Sequence, residues 1–349
     1  MAAPYGLAVL GYAHGHVGSY TSMIRGFEDA QVLTCWDHDE ARGRQQAQNF
    51  GHDYSADLDA VLARSDVQGV MIGAETNRHA DVAVAAARAG KDILIQKPLA
   101  FRLEDCDRII EAVDQAGVRA MVAYQMRCDP LNQKIKEIID TGTIGRVGYI
   151  RRRHCIGVLF DANFARPTNW HIQAAANKGM FMDDASHAAD FLLWLLGMPV
   201  SVMAEIDNVL TNVAPDDTGV ALYRWADGCM GTLMNASVTL AAENTTEVYG
   251  DKGVIIQNHD DGPSTGIRPP GAIGLKLYTK ETNAWEVLDV PLPDGHGVRI
   301  QNVARRAVDW FRGLAEPITT LAEARQSVQM ILGAYQSAES GQRVKLPLD

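Results

Sequence analysis

Lys97, in the run Ile95-Gln96-Lys97-Pro98-Leu99, and the pair Asp183 and His187 are residues whose types suit chemistry on a secondary hydroxyl. Oxidising such a group by hydride transfer needs a base at the hydroxyl proton and an electrostatic partner for the oxygen where charge develops. His187 can take the proton, Asp183 can orient and charge-balance the imidazole, and Lys97 can hold the oxygen and favour alkoxide. Lysine is costly to bury, so Lys97 directly after the apolar run 93–95 either snorkels outward or is held in a cleft by polar partners. Pro98 favours the cleft, because it ends the strand and fixes the chain direction, with a cis bond as one option. Asp183 and His187 stand i, i+4 at the start of a helical pattern, a spacing that puts both on one face. The plainer alternative is a helix-surface pair with Asp183 as cap.

A metal is not expected. His154, His171, Asp183 and His187 lack a local two-ligand motif beyond the i, i+4 pair, and His14 and His16 stand i, i+2 on a turn without a nearby carboxylate. The five cysteines are scattered with no C-x-x-C pair, which suits reduced, buried thiols.

The elements that must position these groups come in two textures. Over residues 1–125, apolar runs of strand length (7–10, 32–36, 69–72, 93–95 and 120–123) alternate with helical spacing (41–50, 58–64, 79–89 and 104–116), the pattern of a parallel, doubly wound sheet. Gly51, Gly90 and Gly117 mark three helix ends. The first strand runs into Gly11-Tyr12-Ala13-His14-Gly15-His16-Val17-Gly18, where a dinucleotide site needs a tight turn opening onto a helix N-terminus. Against G-x-G-x-x-G, Gly11 fits the first position and Ala13 and His16 take the second and third. The bulk of His16 calls for a looser helix contact or a turn shifted to Gly15 or Gly18. Asp37 ends the second strand, where an acidic side chain accepts hydrogen bonds from an adenosine ribose; this favours NAD, with NADP kept as the alternative because Arg42 is close by. Asp37 also suits a helix N-cap, and the roles are compatible. Thr76, Asn77 and His79 follow the third apolar run, at the carboxyl end of a parallel strand where such sheets bind ligands. For His79, a helix cap and a position beside the nicotinamide are equally open.

From about residue 126 to 349 a mostly antiparallel domain is expected, with strands near 147–153, 200–206, 219–223, 230–239 and 246–249. One helix at 183–196, stopped by Gly197 and Pro199, interrupts it. Helical patterns at 300–314 and 321–340 follow, and the second could return to the first domain. Residues 261–274, rich in Gly and Pro, suit a surface loop, either a binding lid or a plain connection.

The chain has 349 residues, with 32 basic against 43 acidic side chains and a formal net charge of −11. That balance disfavours nucleic acid and anionic membrane. The short basic run Arg151-Arg152-Arg153-His154 fits one edge of a strand. Neither a signal peptide nor a stretch of about 18 apolar residues is visible, so the expectation is a cytoplasmic protein.

Taken in order, the Gly turn, Asp37, Thr76-Asn77-x-His79, Lys97-Pro98, Tyr124-x-x-Arg127, Gly142-x-Ile144-Gly145, Asp183-x-x-x-His187-x-x-Asp190, Trp194-x-x-Gly197, Asp217-Thr218 and Tyr249-Gly250-x-Lys252-Gly253 resemble the glucose-fructose oxidoreductase and inositol dehydrogenase (Gfo/Idh/MocA) superfamily over nearly the whole chain. The resemblance implies an N-terminal Rossmann domain, a C-terminal open-faced β-sheet domain, bound NAD, and a catalytic set of Lys97, Asp183 and His187. It places the family's arginine near substrate at Arg127, beside Tyr124, and points to His154, Trp170, His171 and Asp184 as further substrate contacts. Trp170 fits a core wall equally well. Gln96 stands where the family carries a glutamate, removing a negative charge beside Lys97. The implied activity is hydride transfer between nicotinamide and a secondary hydroxyl or ketone of a sugar, glycoside or polyol, in a homodimer or homotetramer. Two alternatives stand beside it: tightly bound NAD used transiently for glycoside cleavage or isomerisation, and a non-catalytic nucleotide- or sugar-binding protein.

Overall fold

The computed structural model of the protein describes residues 3–240, 245–258, 273–291 and 296–348. The chain begins with β1 (Tyr5–Leu10), α1 (Gly15–Ile24), β2 (Ala30–Trp36), α2 (Glu40–Phe50), β3 (Asp53–Ser55), α3 (Leu58–Leu62), β4 (Gly69–Ile72), α4 (His79–Arg88), β5 (Asp92–Ile95), α5 (Leu103–Ala116) and β6 (Ala120–Val122). The six strands form one sheet in the order β3-β2-β1-β4-β5-β6, and every pairing in it is parallel. The order reverses between β1 and β4, the crevice where ligands bind in such sheets. Leu7 to Leu10, Val70 to Ile72 and Ile93 to Ile95 are each at most 1 % exposed, as strands covered on both faces require. Gly51, Gly90 and Gly117 all have φ near +70°, the left-handed conformation expected after their helices.

The second stretch holds α6 (Pro130–Asp140), β7 (Val147–Cys155), α7 (Ala174–Asn177), α8 (Met180–Asp183), α9 (Ala185–Leu196), β8 (Ser201–Asp207), β9 (Thr218–Arg224), β10 (Met230–Ala236), β11 (Thr245–Gly250), β12 (Gly253–Asn258), β13 (Leu275–Thr279) and β14 (Ala284–Val287). The chain ends with α10 (His296–Phe311), α11 (Leu321–Ser340) and β15 (Val344–Lys345). The nine strands lie in the order β14-β13-β12-β11-β7-β10-β9-β8-β15, antiparallel except for the β10 and β7 pair. The basic run lies on a strand, as expected, and that strand is interior to the sheet. Strand alternation splits it, sending Arg151 outward to Glu247 and Arg152 and His154 to the buried face. The loop expected at 261–274 lies, except for its last two residues, outside the described residues.

Two compact units result: Met1–Gln125 with Gly297–Arg325, and Met126–His296 with Gln326–Asp349. The segment returning to the first unit is thus mainly α10 and the turn after it. Arg305 pairs with Asp29 at 2.9 Å, Phe311 stacks on Tyr5 with ring centroids 5.8 Å apart, and Val122 donates to the Thr319 carbonyl.

The helix expected at 183–196 is interrupted at Asp184. The Ser186 hydroxyl donates to the Asp183 carbonyl at 2.7 Å, and the His187 N–H falls back to Asp184 O at 3.2 Å, an i to i+3 spacing. A hydroxyl competing for a helix carbonyl is the physical cause. Gly197, at φ 73°, stops α9 as expected.

Candidate active site

In the first unit, Gly11 adopts φ 92°, and a Cβ there would lie 2.7 Å from the Ala74 backbone, so only glycine fits. The turn is fixed by Gly11 N–H to Trp36 O (2.7 Å) and His14 N–H to Gly73 O (2.9 Å). Ala13 is half-buried in it, and α1 starts at Gly15, around whose Cβ direction there is open space. His14 caps the helix by accepting the His16 N–H, and the two rings meet edge-on at 4.4 Å. Close contact between helix and sheet comes from Gly73, where a Cβ would fall 2.3 Å from Val17. The strand end supplies the small residue that the helix lacks at His16. A bare glycine before a helix N-terminus with no acidic residue in its first turn suits the pyrophosphate of a dinucleotide.

Asp37, 2 % exposed, ends β2 and accepts four hydrogen bonds: Tyr12 N–H (2.8 Å), Asp39 N–H (3.0 Å), Arg42 Nε (2.8 Å) and Arg42 Nη2 (2.7 Å). Arg42 also reaches Glu75 Oε1 at 3.2 Å, so its guanidinium bridges two carboxylates. The N-cap of α2 is Asp39 rather than Asp37. Thr76 is buried in a short turn and Asn77 is exposed.

Lys97 is 3 % exposed at the end of β5, so it does not snorkel outward, and the Lys97-Pro98 peptide is cis. Gln96 accepts the Lys97 N–H at 2.9 Å and donates to the Tyr20 hydroxyl at 2.9 Å. His79 faces Pro98 O and Leu99 O through Nδ1 (3.0 and 3.3 Å) and Ala74 O through Nε2 (3.2 Å). Burial pushes its pKa below the ordinary histidine value, against those carbonyls. His79 thus ties the ends of β4 and β5 together. Tyr124 is fully buried.

In the second unit, Asp183 closes α8 and its Oδ2 lies 2.7 Å from His171 Nδ1. His171 stacks on Trp170 at 3.7 Å between centroids, and Trp170 is 8 % exposed. The carboxylate expected to orient His187 therefore has His171 as a direct partner. His187, on α9, faces His154 of β7 with ring centroids 5.5 Å apart, and Asp184 accepts the Ser237 hydroxyl at 2.6 Å. Arg127 forms a buried two-point pair with Asp190 (2.9 and 2.7 Å), bracing α9 against the segment before α6.

Sequence reasoning did not single out Asp216, Asn235 or Glu75. Asp216 accepts Phe181 N–H (2.6 Å) and the Tyr335 hydroxyl (2.8 Å), and a Cβ at Gly179 would fall 1.9 Å from its Oδ2. It holds the turn that carries Asp183. Asn235 lies on the inward register of β10 with Gly231 and Leu233, a polar residue in an apolar series. That series is the sequence signal for it. Asp217, by contrast, serves structure: it accepts the N–H groups of Val209, Leu210 and Thr211, which hold its carboxyl below the usual range despite burial. Among the described residues, no group of three or more His, Cys, Asp and Glu side chains is arranged to hold a metal ion.

The profile of an oxidoreductase family with an NAD-binding Rossmann fold matches residues 6–124, and that of the GFO/IDH/MocA C-terminal domain matches residues 132–256. Myo-inositol 2-dehydrogenase of Thermotoga maritima is 26% identical over 70% of this chain and 73% of its own. A levoglucosan dehydrogenase solved with NADH and levoglucosan superposes with TM-score 0.84 at 21% identity, covering 99% of this chain and 100% of that one. The WlbA dehydrogenase of Bordetella pertussis, solved with NADH and UDP-GlcNAcA, gives TM-score 0.84 at 24% identity and 99% coverage of both chains. One fold thus carries a neutral sugar in one neighbour and an acidic sugar nucleotide in another. Two domain profiles matched in order along one chain make it a member of the glucose-fructose oxidoreductase and inositol dehydrogenase (Gfo/Idh/MocA) family of NAD-dependent oxidoreductases.

Proposed function

We propose that the protein is a dehydrogenase that moves hydride between NAD and a secondary hydroxyl or ketone of a sugar, glycoside or polyol. The observation that carries this reading is Lys97, a lysine 3 % exposed at the carboxyl end of a central parallel strand, with Gln96 and His79 bonding the backbone around it. When bound, NAD supplies the hydride acceptor. The Gly11 to His16 turn with the start of α1 would hold its pyrophosphate, Asp37 the adenosine ribose, and Thr76, Asn77 and Gln96 the approach to Lys97. Lys97 would hold the reacting oxygen and favour alkoxide. His187 would accept the hydroxyl proton, with Asp183 as charge partner and His171 fixing the Asp183 carboxylate. Tyr124, His154, Trp170 and Asp184 would line the substrate, while Arg127, committed to Asp190, would set the position of α9. The direct test is a panel of sugars, inositols and glycosides with NAD and with NADP, read at the nicotinamide absorbance. Turnover without net absorbance change would move the assignment to transient oxidation, and no dinucleotide binding by calorimetry would overturn it.

A homodimer or homotetramer fits the outer face of the nine-stranded sheet. Met203, Val220, Met230, Met234 and Tyr249, each 37–43 % exposed, stand at outward registers of β8 to β11. Light scattering showing only a monomer would refute it. Buried thiols at all five cysteines accord with a cytoplasmic location. Among the described residues no helix is long and apolar enough to cross a membrane.

A further inference from the structure

On the buried face of the nine-stranded sheet stands an amide that the described residues leave unsatisfied. Asn235 is 1 % exposed, and neither its amide nitrogen nor its amide oxygen has a hydrogen-bond partner among the described residues. Buried amides are almost always paired, because desolvating one without compensation costs more than the bond returns. Leu233, two residues earlier on the same face, is fully buried, so an apolar side chain of similar size fits this strand face.

Its surroundings say what the amide is for. On one side, in register across the parallel β10 and β7 pair, stands His154, whose ring faces that of His187. On the other stands Gly219, over which Phe181 packs so closely that a Cβ would come within 2.4 Å of the ring. Two residues on, at the same register, Ser237 binds Asp184. The orphan amide is therefore flanked by residues assigned above to proton transfer and substrate contact.

We propose that Asn235 is a substrate-binding residue whose amide holds a hydroxyl of an uncharged polyol or sugar beside the one that is oxidised. This deepens the proposed function and rests on it. An amide offers a donor and an acceptor side by side, which matches a hydroxyl that both accepts and donates. The charges around it select against anions. Asp183 and Asp184 are acidic, whereas the guanidinium of Arg152 is held by Thr246 and Gln257 and that of Arg127 by Asp190. A sugar acid would meet two carboxylates and, within this unit, guanidiniums already engaged.

The test compares wild type with Asn235→Leu, using a neutral polyol that the panel shows to be turned over, and its uronate counterpart. Readouts are KM and kcat, NADH affinity by calorimetry, and Tm. Expected is a KM for the neutral substrate raised roughly tenfold or more, with kcat changed less, NADH affinity unchanged and Tm equal to or above that of wild type. A rise in Tm with loss of substrate affinity marks a group kept for binding rather than folding. An unchanged KM with a lowered Tm would assign Asn235 to structure and overturn the inference. If Asn235→Leu does not fold, Asn235→Asp, equal in size, gives the same reading: KM for the neutral substrate rises, and an unchanged KM overturns it. A wild-type preference for the uronate would also overturn it while leaving the dehydrogenase reading intact. NADH binding with no polyol or sugar turned over would overturn both.

Discussion

In the first unit three polar groups expected near the cofactor are committed to the protein: Asp37 accepts four hydrogen bonds, His79 faces three carbonyls, and Gln96 joins Tyr20 to the Lys97 backbone. In the second unit the amide of Asn235 has no partner among the described residues, and Asp183, the carboxylate proposed to act beside His187, sits at a helix break. The proposed function accounts for the contrast. A dinucleotide is met by backbone N–H groups and one carboxylate, so side chains there mostly hold the backbone in place. A polyol offers only hydroxyls, and side chains must supply the complementary donors and acceptors.

The contrast sets the order of expected effects. Lys97→Met should lower kcat/KM by roughly 10²- to 10³-fold, the range for loss of a group that stabilises a developing oxyanion, while NADH affinity by calorimetry stays within a few-fold. A comparable loss of NADH affinity would show that Lys97 belongs to cofactor binding. Asp216→Ala should cost about 2–3 kcal/mol in denaturant unfolding, since it orphans the Phe181 N–H and the Tyr335 hydroxyl. Its pH signature is distinctive. Burial raises the Asp216 carboxyl above its usual 3.8, against the pull of Phe181 N–H and Tyr335. The folded state therefore holds the proton more tightly, and this contribution to stability is full below pH 3.8. It falls as pH rises through the higher folded value and is constant beyond. Asp216→Asn should remove that acid-side slope in unfolding measured from pH 3.5 upward.

Smaller effects test how firmly the first unit's groups are held. Glu75→Gln releases one carboxylate from Arg42 and should narrow the NADH over NADPH binding preference by roughly threefold to tenfold, read by nicotinamide fluorescence. No change would mean that Asp37 alone sets the position of Arg42. Least affected should be Asp29→Asn, which loosens α10 where Arg305 and Arg312 hold it. The Asp29 carboxyl is lowered by its Arg305 bond, so its contribution is present above pH 3.8 and lost as pH falls through the folded value. The pair is partly exposed, so the loss in unfolding free energy at pH 7 should stay under about 1 kcal/mol.

The first sheet was legible because doubly covered parallel strands read as plain apolar runs and their ends carry punctuating residues such as Gly11, Asp37 and Pro98. The phosphate turn looked degraded because the small residue needed for close packing stands on β4, at Gly73, which a local motif cannot show. The break at Asp184 escaped because it depends on which carbonyl the Ser186 hydroxyl takes, a choice that periodicity does not encode. The helix α6 was overlooked although Asp129 and Pro130 form a regular start, with Asp129 accepting the Leu131 N–H at 2.8 Å. Lys97, Asp183 and His187 could be picked by residue type. That Asp183 pairs with His171 needed the turn held by Asp216, a partner distant in sequence.

The most direct test is a single-turnover experiment in which enzyme with bound NAD meets an oxidisable polyol carrying either hydrogen or deuterium at the reacting carbon, followed at the nicotinamide absorbance. Reduced nicotinamide should form within one turnover, more slowly with deuterium, and Lys97→Met should slow its formation without releasing NAD. Reduced nicotinamide that never forms while NAD is demonstrably bound would contradict hydride transfer as the function of this site.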